Sequence, residues 1–505
     1  MDRTIKTIFN IFVSCLNSGG NIILQFIVRT FFVNILGSYY LGLNGLFTNI
    51  LNILSIGELG LGTAIMFSLY KPIAENDYNK INSLNHIYKK LLKIISVSIF
   101  TVGFLLSFKL DLLINIPLNN EIKIVYFLFL FDTCLSYWFL DKENLIVAHQ
   151  KKYIVNSLSL IVNLIMSIVQ IMTLLITSNF YIYLIIKIFF DFIRGYYLSK
   201  KARKMYPFID SLAVPLDDFD KRAIIKNVKA LSIYKLCSAI LTGTDNIIIS
   251  KYINLRTVGL VSNYTLIVSG IDLIIRDMFN SIIAILGNYS VSADEKKQLP
   301  MFYLVQLTSF IIYGASTICL LILLEPFITI WIGKKNLIDF SVAFIIIINF
   351  YLVGMNRIMG IYREVLGLFD YGKYRPLFMA ILNILFSLIF VYYFGLIGVY
   401  LGTIISRLIT QTWYDPYIIF KHGFNAKISN QYKRMFFFII KLIITYILIK
   451  HITDFFPISN LFYIVIKGLF TLIFSIILLS VSCLHMKESK NLINICKELY
   501  NKVVL

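Results

Sequence analysis

The stretch Leu36 to Lys71, LGSYYLGLNGLFTNILNILSIGELGLGTAIMFSLYK, decides how the rest of the chain is read. It is an apolar run long enough to cross a bilayer with tilt, for which about 20 residues suffice. It nevertheless carries Glu58 in mid-run, with Gly57, Gly60 and Gly62 around it. A carboxylate in hydrocarbon is costly, so Glu58 is expected to face protein or water rather than lipid. The pattern returns from Val258 as VGLVSNYTLIVSGIDLIIRDMFNSIIAILGNYSVSADEKK. A shift of 217 positions lays Gly42-Leu43 on Gly259-Leu260, Asp77 on Asp294 and Lys80 on Lys297, and puts Glu58 on Ile275, beside Arg276. The same shift lays Ile182-Tyr183-Leu184 on Val399-Tyr400-Leu401. Two copies of one design, each with polar groups inside an apolar span, is an arrangement common among transporters.

The 505-residue chain is 58% hydrophobic and only 15% charged, against about 25% charged in soluble domains. That excludes an ordinary globule and predicts an all-α polytopic membrane protein. Apolar runs separated by short polar breaks give about fourteen spans. They lie near 9–36, 41–70, 90–110, 122–148, 154–177, 180–199, 223–250, 257–288, 300–324, 338–366, 376–394, 396–420, 434–452 and 461–484. The net charge of +20 does not point to nucleic acid, because the basic residues gather in alternate loops. One set of loops holds Lys71, Lys80, Lys89, Lys90, Lys93, Lys151, Lys152, the run Lys200 to Arg222, Lys373, Arg375, Lys433 and Arg434. Basic loops stay on the cytoplasmic side, which places both termini there. No cleavable signal peptide is visible, since the first apolar run is too long and lacks a small-residue cleavage site. The six cysteines have no metal or redox spacing and read as core filler.

The domain reading follows from the repeat: a six-span lobe over 1–200, a cytoplasmic linker over 201–222, a second six-span lobe over 223–420, and two further spans with a basic tail over 421–505. An even number of spans per lobe relates the lobes by an axis along the membrane normal and leaves a cleft between them. A shorter echo joins ENLIVAHQKKY, Glu143 to Tyr153, to REVLGLFDYGKY, Arg363 to Tyr374. External loops are short, which argues against a membrane glycan polymerase or ligase needing a folded outer domain.

Charges inside the spans carry the functional argument. Arg29, Asp132, Lys187, Asp191, Lys235, Asp245, Asp272, Arg276, Arg357 and Arg407 all fall within apolar runs, and each must meet a partner or water. Lys187 with Asp191, and Asp272 with Arg276, are spaced for an ion pair along one helix. Arg29 and Arg357 have no acid at helical spacing on their own spans and are expected to face the cleft. Arg407 is expected to reach an acidic neighbour, to snorkel, or to serve the cleft. A guanidinium presents paired donors that fit phosphate oxygens and stays charged at any physiological pH, so the inference is an anionic substrate. Phe26, Phe31, Tyr39 and Tyr40 read either as sugar-stacking or as lipid-facing aromatics.

The segment FIVRTFFVNILGSYYLGLNGLFTNILNILSIGELGLGTAIMFSLYKPIAEND, with Arg29 and Asp77 near its ends, closely resembles the opening spans of polysaccharide flippases of the Wzx type. These lie within the multidrug, oligosaccharidyl-lipid and polysaccharide (MOP) exporter superfamily, whose MATE-like fold has two six-helix lobes. The resemblance implies two added helices flanking a lipid tail and export of an undecaprenyl-pyrophosphate-linked oligosaccharide across a bacterial cytoplasmic membrane. It implies membrane lipids, a polysaccharide polymerase and glycosyltransferases as partners, and a pyrophosphate and sugar site drawn from Arg29, Glu58, Asp272, Arg276, Arg357 and Arg407. Related lipid II flippases carry a sodium site, and the matching positions here are Asp245, Asn383, Ser387, Val399 and Thr403. Ser387 stands where that family has a carboxylate, which weakens a sodium site and leaves coupling to sodium or to protons open. No other cofactor is implied. The competing reading is a cation-coupled multidrug exporter of the same fold.

Overall fold

The structure is a computed structural model describing residues 3–55, 61–114, 119–211, 240–292 apart from 242, 295–456 apart from 369, 370 and 373, and 460–489. Glu58, Lys235, Asp294, linker residues 212–222 and the tail beyond 489 lie outside the described residues. Every regular element among those described is helical. In order these are α1 (Arg3–Leu54), α2 (Leu61–Glu75), α3 (Tyr78–Ser107), α4 (Asn120–Ser136), α5 (Leu140–Ala148), α6 (Lys152–Thr177), α7 (Phe180–Met205), α8 (243–252) and α9 (Leu255–Ser292). Then come α10 (Glu295–Ile332), α11 (Phe340–Val365), α12 (Arg375–Phe394), α13 (Leu396–Arg407), α14 (Tyr414–Ile418), α15 (Ile428–Thr453) and α16 (Leu461–Ser482). Among the described residues nine helices are individually long and apolar enough to cross a membrane, and α4 with α5, bent by 43°, makes a tenth. Gly37, at φ 80° and ψ 178°, divides α1 into the two runs expected at 9–36 and 41–70. With α7, α8 and the broken α13–α14 stretch, the helix order accommodates about fourteen spans of an all-α polytopic membrane protein.

Local signals explain where helices start and stop. Asp77 accepts a hydrogen bond from the Lys80 amide at 2.9 Å, Asn119 from Ile122 at 3.0 Å, Asn179 from Tyr181 at 2.8 Å and Asn460 from Tyr463 at 3.2 Å. Each cap stands just before an apolar run and satisfies an amide the helix leaves open, worth about 1 kcal/mol. Gly395, at φ 57°, joins α12 to α13 in one residue, a conformation that costs a side-chain-bearing residue.

The chain forms two compact units, Met1–Ser262 and Asn263–Leu505. In the first, the repeat glycines meet. A Cβ on Gly42 would fall well under 3.0 Å from the Leu255 carbonyl oxygen, and one on Gly259 would do the same to the Ser38 carbonyl oxygen. Positions 38 and 42 map onto 255 and 259 under the shift of 217, so the contact is reciprocal, as across a two-fold axis. One turn further, Gly45 faces Ser262, again its own repeat partner. Elsewhere in this unit Asn163 on α6 donates to Asn21 on α1 at 2.8 Å, and Gln170 on α6 donates to the Tyr183 carbonyl on α7 at 3.3 Å. In the second unit α12 and α13 are pressed together at Gly402 and Gly398, while Phe310 and Phe438 stack at 4.1 Å and 5° between α10 and α15.

Each unit also carries an imidazole stacked on a phenol. His149 beyond α5 lies on Tyr206 beyond α7, at 4.2 Å and 30°, with the Lys151 ammonium over the same ring at 5.3 Å. In the second unit Tyr371 beyond α11 lies on His422 beyond α14, at 4.1 Å and 21°. The stack recurs with the residue types exchanged between the two positions.

Gly42→Ala or Gly259→Ala is therefore expected to destabilise by about 1–3 kcal/mol through overpacking. Gly360→Ala on α11, where a Cβ meets nothing within 4 Å, is expected to gain about 0.5–1 kcal/mol. Thermal unfolding of the purified protein compares the signs. A pH dependence follows from His149, whose imidazole is held below its ordinary value of 6.5 by burial, with Lys151 adding to the effect. A lowered folded value means stability is complete above about pH 6.5 and is lost as pH falls through the folded value. His149→Gln should flatten the fall in melting temperature between about pH 7 and pH 5.

Candidate functional site

In the first unit the intramembrane charges gather on α1, α4 and α7. The Lys187 ammonium on α7 is held by Asp132 on α4 and by Asp191 one turn along α7, the latter at 3.1 Å. The expected pair along α7 forms, and Asp132 joins it from across the bundle. Arg194 acts on Asp132. Arg29 on α1 acts on the Tyr183 hydroxyl, which also feels Lys187, and Phe32 packs edge-on against the Tyr183 ring at 5.1 Å. The group sets Lys187 and Arg194 against Asp132 and Asp191, with Arg29 on the Tyr183 side of Lys187. Asp245 on α8 is half-buried in this same unit.

In the second unit the ion pair expected along α9 is not the one formed. Asp272 turns away from Arg276 to α11, where Arg357 donates to both of its oxygens at 2.8 and 2.9 Å. Tyr313 on α10 donates to Asp272 at 3.0 Å and accepts from Arg357 Nε at 3.1 Å. One guanidinium nitrogen shared by both carboxylate oxygens, with Tyr313 bridging the two side chains, fixes position better than a pair of flexible side chains one turn apart. Arg357, expected to be open to the cleft, thus already holds an internal anion. Arg276 is half-buried and meets no carboxylate among the described residues.

A third cluster escaped the sequence reading. Asp415 on α14, with none of its side chain exposed, binds Arg363 at 3.0 Å and Arg375 at 2.6 Å. Arg363 also donates to the Tyr371 carbonyl at 2.7 Å. Arg407 donates to Gln411 at 3.1 Å, and Gln411 hydrogen-bonds Asp415. The signal that marks it in the sequence is a lone aspartate inside the apolar run 396–420, facing arginines at either end of the preceding loop.

Four of the five residues assigned by resemblance to a cation site come together on α12 and α13. Asn383 donates to Thr403 at 2.8 Å, and Ser387 donates to the Val399 carbonyl at 3.0 Å, with Thr403 on the same carbonyl at 3.4 Å. All four are buried. They offer neutral oxygens already engaged with one another and no carboxylate. Oxygen sites for hard cations depend on ligand charge, which in the five-residue set rests on Asp245 alone, and no step is routed through a cation. Among the described residues no group of three or more His, Cys, Asp or Glu is arranged to hold a metal.

Helices that are apolar outside and carry ion-paired groups inside define a class, the polytopic helical bundle with a polar interior. More particularly, the chain has the fold of MOP-superfamily transporters. It is similar to a solved structure of the lipid II flippase MurJ in an inward closed conformation, with 16% identity and a TM-score of 0.68 over 94% of this chain and 99% of that one. It is similar to an inward-facing multidrug resistance MATE family transporter, at 14% identity and a TM-score of 0.65 over 82% of this chain and 96% of that one. An outward-facing MATE structure is similar at 13% identity and a TM-score of 0.56, covering 85% and 96%. No family model and no curated protein sequence matches the chain.

Removing the acid from each arginine cluster should cost unequally. Asp415→Asn leaves two guanidinium groups at a fully enclosed site, and the expected loss is about 3–5 kcal/mol. Asp272→Asn acts where the carboxylate side chain is 20% exposed, so water relieves the orphaned Arg357 and the loss is expected to be smaller. Melting temperatures of the two variants at neutral pH check the order.

Proposed function

We propose that the protein is a flippase that moves an undecaprenyl-pyrophosphate-linked oligosaccharide from the cytoplasmic to the outer leaflet of a bacterial cytoplasmic membrane by alternating access, supplying surface polysaccharide assembly. The observation that carries this reading is Arg276, a half-buried guanidinium on α9 that meets no carboxylate among the described residues. An apolar bundle keeps such groups only where water or an anion meets them. The MurJ similarity supports it, since it spans a larger share of the chain than the MATE similarities, by an amount comparable to α15 and α16 together.

In this reading Arg29 and Arg276 bind the diphosphate directly. Arg357 acts by exchange: Asp272 holds its Nη2 until phosphate oxygens, which fit the paired donors of the guanidinium, displace the carboxylate. Tyr313 keeps both partners aligned through the exchange. The prenyl tail stays in lipid, and protein charges replace the water that sugars and phosphates would otherwise lose. With the basic loops and both termini cytoplasmic, an inside-negative potential favours outward movement of an anion by about 2.3 kcal/mol per charge per 100 mV. Polymerase and glycosyltransferases would act before and after this step as partners.

The test is translocation of a lipid-linked diphosphate oligosaccharide in proteoliposomes carrying the full chain. Arg29→Ala and Arg276→Ala are each expected to lower the rate about tenfold, the effect of about 1.4 kcal/mol. Arg276→Lys should fall between, because an ammonium keeps charge without the fork. Undiminished rates in both alanine variants would remove the anion site, and accumulation of a cationic dye instead would favour a multidrug exporter.

A further inference from the structure

Where α3 passes the α4–α5 bend, Lys89, Lys93, Tyr137 and Trp138 line a recess of about 270 Å³. Lys89 and Lys93 are one turn apart on the same face of α3, and both are exposed. Tyr137 and Trp138 occupy the 43° bend between α4 and α5, Tyr137 buried and Trp138 64% exposed. Two helices agree on the depth. The bend follows the 17 residues of α4, about 25 Å of helix, and Lys93 lies about 21 Å along α3 from Ser107. Both fall a little short of the roughly 30 Å hydrocarbon thickness. The recess therefore lies toward the end of the hydrocarbon, with α5, which opens Leu140-Asp141-Lys142-Glu143, carrying the bent span on into the head-group region, where Trp and Tyr collect and lysines extend.

The charge around it is one-sided. Lys142, Lys93 and Arg203 all act on Lys89, and the carboxylate that acts on it, Asp141, is 1% exposed and ion-paired to Lys142. Beyond the recess, toward the membrane interior, the exposed side chains are apolar: Val97 on the Lys89–Lys93 face, 65% exposed, and Phe131 on α4, 54% exposed.

We propose that this recess binds the phosphate of an anionic membrane lipid. Lys89 and Lys93 bracket the phosphate, Trp138 lies at the level of the head group, and the acyl or prenyl chain runs over Val97 and Phe131. A cation cluster beside an apolar track fits a lipid-borne phosphate better than a free one, because only the lipid fills both parts. The proposal rests on α3 and α4 spanning the membrane and does not depend on what the protein transports.

The three tryptophans make the test direct. The full chain carrying Trp331→Phe and Trp413→Phe is reconstituted in phosphatidylcholine vesicles, leaving Trp138 as the reporter. Brominated phosphatidylglycerol is expected to quench it with an association constant at least fivefold above that of brominated phosphatidylcholine. Lys89→Gln and Lys93→Gln should each reduce that preference by up to about fivefold, the equivalent of about 1 kcal/mol per surface lysine, and the double variant should abolish it. Unlabelled phosphatidylglycerol and undecaprenyl phosphate, added as competitors, show which lipid source binds better, and relief of quenching by either supports the site. Equal quenching by the two brominated lipids, or a preference unchanged in the double variant, overturns it. Relief by millimolar inorganic phosphate alone overturns the lipid assignment. Native mass spectrometry of the unmodified chain gives an independent reading: phosphatidylglycerol retained by it and lost from the Lys89→Gln, Lys93→Gln protein supports the site, and equal retention overturns it.

Discussion

The structure depends on a close approach of two backbones, at Gly42 and Gly259. Within lipid there is little hydrophobic drive to bring one apolar helix against another, so contact has to come from packing. Glycine permits it by letting each helix press its axis onto a carbonyl of the other, Gly42 onto Leu255 and Gly259 onto Ser38. Because the four positions exchange under the repeat shift, one interaction type is used twice at one crossing. Both contacts also fall at chain reversals: Ser38 follows the break at Gly37, and Leu255 opens α9. The crossing therefore sets where two long helices begin, and small errors there would be amplified along their length.

The second constraint is electrostatic. A charged group in an apolar span must find its partner within reach, and the structure prefers partners on other helices. Lys187 takes Asp132 from α4 in addition to its helical neighbour, Arg357 takes Asp272 from α9, and Asp415 takes arginines from α11 and α12. Such bonds tie helices together at defined registers. They also leave the polar interior with a surplus, since the acids are spent on these bonds while Arg276 meets none of them.

Much of the fold was legible because its causes are local or periodic. Span lengths follow from apolar runs, and the repeat was visible at the glycines that later prove to touch, whereas the helix starts at Asp77, Asn119, Asn179 and Asn460 emerge with the structure. The site was legible as a set of residues but not as a set of pairs. Spacing along one helix suggested Asp272 with Arg276, and only the arrangement of three helices shows that Arg357 and Tyr313 are nearer. Asp415 was missed for the same reason in reverse. Its partners flank a loop that reads as an ordinary basic connection, so the lone aspartate in the apolar run is the one sequence signal, and the folded bundle supplies the pairing with Arg363 and Arg375. Glu58, which gave the opening stretch its interest, lies outside the described residues.

The neutral set on α12 and α13 bears on how movement could be driven. Where a coupling cation binds, at least one carboxylate normally offsets the loss of its hydration. Ser387, matched by resemblance to a carboxylate position, donates its hydroxyl to the Val399 carbonyl and so bonds α12 to α13. A serine at this crossing also permits the tight approach at Gly402, which a longer acidic side chain would wedge open. In the function proposed above, an anionic cargo tolerates the lack of a carboxylate there, because an inside-negative potential favours outward movement of an anion, whereas a cation would be expelled against it.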